Sequence, residues 1–62
     1  MDSRRIIQRL EADGWHRVRI RGSHHIFHHP TKPGIAIVPH PKKDIPSGTL
    51  RSIEKQSGLR LR

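Results

Sequence analysis

The chain has 62 residues and carries 13 Lys+Arg against 5 Asp+Glu, a formal net charge of +8 that suits polyanionic partners. It contains no cysteine, which excludes a disulfide framework, a thiolate zinc site and a cysteine nucleophile. Its apolar runs fall far short of the roughly 20 residues that span a bilayer, and its N-terminus lacks the charged and apolar regions of a secretory signal. A soluble protein of the cytoplasm is expected, with no membrane partner.

From Ser3 to about Ala12, Ile6, Ile7 and Leu10 recur at the i, i+3, i+4 spacing of a helix with one apolar face. Ser3 is the expected N-cap and Gly14 the expected stop, with Arg4, Arg5 and Arg9 on the wet side. After Gly14 the period changes to two. Along His16 to Arg21, Val18 and Ile20 alternate with Arg17, Arg19 and Arg21, the pattern of a half-buried antiparallel strand with its aliphatics inward. The arginine stripe reads either as a solvated face or as a set of phosphate contacts.

Gly22-Ser23 supplies a turn, and His24 to His29 reads as a second strand with Ile26 and Phe27 on opposite faces. Pro30 to Gly34 punctuates the chain again, and Ile35 to Val38 forms a short apolar strand stopped by Pro39 and Pro41. The prolines make Pro39 to Asp44 a loop. A last helix follows, capped by Asp44 or Ile45 with Pro46 in its first turn, facing inward through Leu50 and Ile53 and ended by Gly58. Leu59 is placed to fold back onto it.

No repeat, low-complexity run or long linker divides the chain, so residues 1–62 read as a single domain. A domain of this length buries only roughly 60% of its unfolded-chain surface, so its core is small and its stability marginal. The order α-β-β-β-α predicts an α+β fold. Two helices cover one face of a three-stranded antiparallel sheet, as in double-stranded-RNA-binding domains. Trp15 follows the helix-ending glycine, and only Phe27 joins it as an aromatic. Packing is therefore expected of Trp15, with stacking on a base as the alternative.

The run Gly22-Ser23-His24-His25 places paired imidazoles beside a tight turn, and imidazole both takes and gives a proton near neutral pH. Glycine suits such a turn because it adopts positive φ cheaply. The six histidines also raise a metal site. His24 with His28, and His25 with His29, are spaced i, i+4, which separates them by roughly 13 Å along a strand. The five acids, Asp2, Glu11, Asp13, Asp44 and Glu54, form no local ligand cluster. No metal and no cofactor are expected.

Taken in order, Gly14-Trp15, Gly22-Ser23-His24-His25, Phe27, His29-Pro30, Val38-Pro39-His40-Pro41, Lys42-Lys43-Asp44, Pro46, Gly48-Thr49-Leu50, Ile53 and Gly58-Leu59 resemble the HicA toxins of bacterial toxin–antitoxin systems. The resemblance runs over nearly the whole chain. It implies a ribonuclease that cleaves mRNA and is held inactive by a HicB-type antitoxin, and it places the active histidine in the Gly-Ser-His-His element. The expected catalytic residue is His24, at the start of the second strand, with Gly22 and Ser23 shaping the turn. His25 is the alternative, because neighbouring strand residues point to opposite faces and the sequence does not say which face is open. His25, Arg21, Lys42 and Lys43 are the expected RNA contacts, the two lysines because they match the family's Pro-His-Pro-Lys-Lys element in a proline-fixed loop.

RNA carries its own nucleophile, the 2′-hydroxyl, so a sparse site of histidine and basic groups is chemically sufficient. A non-catalytic RNA-binding module of the same fold is the competing expectation, and it would not require the paired-histidine turn.

Overall fold

The computed structural model describes all of residues 1–62. In chain order the elements are α1 (Ser3–Ala12), β1 (His16–Arg21), β2 (His24–His28), β3 (Ala36–Pro39) and α2 (Ser47–Ser57). The sheet is antiparallel, with β2 between β1 and β3. Both helices share one apolar cluster with one face of this sheet, which gives the expected α-β-β-β-α layer.

α1 buries Ser3, Ile6, Ile7 and Leu10, a single stripe at helical spacing. Its N-cap is Asp2, whose carboxylate accepts from the Arg5 N–H at 2.9 Å, and not Ser3 as expected. Ser3 lies inside the helix, where its hydroxyl serves a different purpose described below. Gly14 follows the Asp13 C-cap with φ +105, as the stop requires. At α2, Pro46 is the N-cap and no side chain caps the first turn. The expected cap, Asp44, is drawn instead to the N-terminal ammonium at 3.3 Å, and Ile45 is buried in the core.

The core is built from Ile6, Ile7, Leu10, Trp15, Phe27, Ala36, Val38, Ile45, Leu50, Ile53 and Leu61. Trp15 is fully buried, with its ring edge-on to His29 at 5.2 Å between centroids. Phe27 is likewise buried, and Ile26 turns to the opposite face.

β1 departs from its expected half-burial. Val18 and Ile20 are 53% and 56% exposed, and the whole strand is open to solvent. Two features explain this. The register shifts between Arg17 and Arg19, which breaks the strict alternation. The helices also pack mainly on β3, leaving β1 at the far edge of the sheet beyond their cover. Arg17 takes the inward position opposite Phe27, with its guanidinium 5.5 Å from the ring centre.

The chain ends of the helices are held by polar clamps. Lys32 Nζ donates to Asp13 Oδ2 at 2.6 Å and to the Ser57 carbonyl at 3.2 Å, joining the β2–β3 connection to both helices. This lysine holds the Asp13 carboxyl below its ordinary pKa. Glu54 Oε2 accepts from Leu61 N–H at 2.8 Å, which seats Leu61 in the core and lowers the Glu54 pKa.

Candidate functional site

The turn between β1 and β2 consists of Gly22 and Ser23, flanked by the paired residues Arg21 and His24. Gly22 has φ +58 and Ser23 has no positive φ, the pattern of a type II′ hairpin turn. This turn feeds the chain straight into β2 and fixes the register in which Arg21 pairs with His24. It is tied from the side as well, because the Ser23 carbonyl accepts from the His40 N–H at 2.7 Å.

His24 opens β2 on the side of the sheet away from the helical core, and it is exposed. It lines a cleft of about 430 Å³ together with Ile37 and Pro39 of β3, Lys42 of the proline loop, and Pro46, Thr49, Ser52 and Gln56. Two of the expected site residues, His24 and Lys42, are thus brought together from positions distant in sequence.

Thr49, Ser52 and Gln56 had no distinguishing signal in the sequence. Their i, i+3, i+7 spacing marks one polar helix face, which reads as ordinary solvation until β3 is seen beside it. Gln56 also has a structural duty, since its Oε1 accepts from the Ile37 N–H at 2.9 Å and occupies the free edge of β3.

His25 points the other way. It is 8% exposed, sits between Val38 and Ile20 in the sheet register, and meets the His40 ring edge-on at 4.9 Å. Its Nδ1 is enclosed without a hydrogen-bond partner. Burial, reinforced by the positive charge of Arg17, pushes its pKa below the ordinary imidazole value. His25, one of the expected RNA contacts, is thus a core-face residue with little exposed surface.

The remaining expected contacts, Arg21 and Lys43, line other depressions. Arg21 pairs with His24 across the strands and extends along the outer sheet face, which also carries Arg19, His28, Ile26, Ile35 and Ile37. Lys43 lies in a neighbouring depression with Arg4 and His40, which also reaches Lys42. A larger hollow of about 780 Å³ lies at the end of α2 between Glu54, Lys55 and Arg62, and it holds no histidine. No three His, Cys, Asp or Glu side chains are grouped closely enough to hold a metal ion.

His29 and His40 hold the scaffold. His29 Nδ1 accepts from the Thr31 and Lys32 N–H groups at 3.1 and 3.0 Å, which leaves Nε2 as the donor to the Asp13 carbonyl at 2.7 Å. His40, whose peptide to Pro41 is cis, places Nδ1 2.6 Å from Ser3 Oγ.

Residues 3–59 match the family described as the HicA toxin of bacterial toxin–antitoxin systems. Among solved structures, the chain is similar over its full length to the full length of a chain in a HicA3 and HicB3 toxin–antitoxin complex, with 38% identity and a TM-score of 0.74. No curated protein sequence matches the chain.

Proposed function

The chain belongs to the HicA family of toxins from bacterial toxin–antitoxin systems, and from that premise we propose that it is an endoribonuclease that cuts mRNA at the His24 cleft. The observation that carries this reading is that exposed His24 and Lys42 line one open cleft, while the adjacent histidine is enclosed.

The reaction would use the RNA's own 2′-hydroxyl. The 2′-oxygen forms a bond to phosphorus as the bond from phosphorus to the 5′-oxygen breaks. The proton lost by the 2′-hydroxyl is balanced by one delivered to the departing 5′-oxygen. His24 serves as the proton-transfer group at one of these two atoms, with water at the other. Lys42 supplies positive charge where the phosphorane gathers negative charge. The uncapped first turn of α2, at the Pro46 and Thr49 side of the cleft, adds its positive dipole end. The nucleophile is part of the substrate, so no metal-bound hydroxide is needed for the attack.

Gly22 and Ser23 aim His24, and Arg21 and Lys43 extend the positive surface on either side for the RNA backbone. The role of His25 in this scheme is to pack the strand that carries His24. The protein would act in the cytoplasm, where mRNA is found, and residues 1–62 would form one functional unit.

The similar structure was solved with HicB3. By extension, a HicB-type antitoxin is the partner proposed for this chain, an acidic protein that covers the cleft and its basic rim. The aliphatics exposed on the outer sheet face beside Arg19 and Arg21 suit such a cover.

The decisive experiment incubates purified wild type, His24→Ala and His25→Ala with single-stranded RNA and follows cleavage and binding together. Cleavage by wild type and by folded His25→Ala, with binding but no cleavage by His24→Ala, is expected. Full cleavage by folded His24→Ala removes the assignment. Binding without cleavage by the wild type would leave a non-catalytic RNA-binding module.

A further inference from the structure

Ser3 is 2% exposed, and its hydroxyl is spent on neither capping α1 nor bonding back to its own helix. Its polar atoms go to a loop 39 residues further along the chain. The Ser3 N–H donates to the Lys42 carbonyl at 2.8 Å, and Ser3 Oγ accepts from the Lys42 N–H at 2.9 Å. One buried residue thus holds both peptide groups of Lys42. The same Oγ lies 2.6 Å from His40 Nδ1, and because it already accepts from Lys42, its own hydrogen is free for that nitrogen.

His40 connects this clamp to the other half of the cleft. Its N–H donates to the carbonyl of Ser23, the residue immediately before His24, and its ring meets His25, the residue immediately after. Through Ser3, the Lys42 segment of the loop is linked by way of His40 to the His24 hairpin. Nothing else fixes the Lys42 backbone so directly, since neither neighbour, Pro41 or Lys43, contributes a hydrogen bond there.

We infer that Ser3 is a positioning residue for Lys42: its hydroxyl and amide set where the ammonium stands relative to the His24 imidazole. The inference rests on the proposed nuclease reading. Ser3 touches no RNA, so its influence runs through Lys42. Misplacement of a charge by about an ångström lowers turnover by up to roughly 100-fold. Binding of the RNA backbone, spread over many cationic side chains, should change far less.

The test is a double-mutant cycle on RNA cleavage with Ser3→Ala, Lys42→Ala and the double variant, each checked for folding by circular dichroism at the assay temperature. Ser3→Ala keeps the amide clamp and removes only the hydroxyl bonds. It is expected to lower kcat by about tenfold or more with KM changed little, and to have no further effect once Lys42 is absent. Amide exchange at Lys42 should quicken in Ser3→Ala, and Ser3→Thr, which restores a hydroxyl, should recover both exchange protection and kcat.

Multiplicative losses in the cycle would mean that Ser3 merely stabilises the fold, and they overturn the inference. So does a Ser3→Ala enzyme with unchanged kcat. If Lys42→Ala itself cuts normally, the nuclease reading of Lys42 fails first, and that result is read from the single variant alone. Should Ser3→Ala not fold, Ser3→Cys replaces it in the same cycle under the same criteria.

Discussion

His24 and His25 are neighbours in β2 that stand in different environments: one is exposed in a cleft with Lys42, and the other is enclosed on the helix-facing side with its ring 4.9 Å from His40. The separation follows from strand geometry, in which successive side chains take opposite faces. The II′ turn at Gly22-Ser23 fixes the register in which His24 pairs with Arg21, and the helices covering the other face leave His24 outward.

This division predicts two unlike variants. His24→Ala should lower cleavage by about 10²- to 10⁴-fold, the usual worth of a proton-transfer group, and leave stability within about 0.5 kcal/mol. His25→Ala should retain the cleavage chemistry but lose about 1–3 kcal/mol of stability, since it empties a buried position. Thermal unfolding beside single-turnover cleavage separates the two, and a stable but inactive His25→Ala would reverse the roles.

Acid should lower the stability of the protein over two pH ranges. The buried His25 has a pKa below its unfolded value, so the unfolded chain binds the extra proton. Stability is full above the ordinary imidazole value of about 6.5 and declines as pH falls from there through the folded value. Asp13 and Glu54 also have lowered pKa values, from the Lys32 ammonium and the Leu61 N–H respectively. Their contributions hold above the ordinary carboxylate value of about 4 and fade below it, through the folded values. Denaturant titrations from pH 8 to pH 3 should show both slopes, and His25→Leu should flatten only the upper one.

Two glycines with positive φ should respond differently to alanine. At Gly22 a Cβ meets nothing within 4 Å, so the cost is the backbone strain alone, about 1–2 kcal/mol. At Gly14 a Cβ would stand 3.0 Å from His29 Nε2, the atom bonded to the Asp13 carbonyl, so ring displacement adds to the strain. Gly14→Ala should therefore have the lower melting temperature. For a domain of this size each kcal/mol is roughly 4–8 °C. Equal melting temperatures would contradict the His29 contact.

The basic loop should divide by position. Lys42→Ala, inside the cleft, should weaken both RNA binding and cleavage, whereas Lys43→Ala, in the depression beside it, should weaken binding alone. Each lost phosphate contact lowers the slope of log K against log salt by about 0.7 on single strands. The cut positions in the RNA should stay the same, since phosphate contacts position the strand without reading it. A salt slope unchanged in the double variant would show that neither lysine meets phosphate.

An acidic HicB-type antitoxin should associate faster at low salt, raise the melting temperature of this chain and compete with RNA. A complex that cuts RNA as quickly as the free chain would rule out inhibition by cover.

Local chemistry determined much of this protein from the sequence alone. The period of Ile6, Ile7 and Leu10, the turn residues Gly22-Ser23 and the prolines after Val38 specify helix, hairpin and loop, because these preferences act within a few residues. The sequence also identified the paired-histidine turn and the basic loop as the chemistry to watch. Only the tertiary structure decided that His24 faces outward and His25 inward, since both faces of a strand are equivalent until helices cover one. It likewise decided that Val18 and Ile20 are exposed, because burial at the sheet edge depends on how far α1 and α2 reach. Ser3 shows the limit most clearly. A serine at a helix start reads as a cap, and its partnership with Lys42 and His40 arises only when the chain folds back over 39 residues.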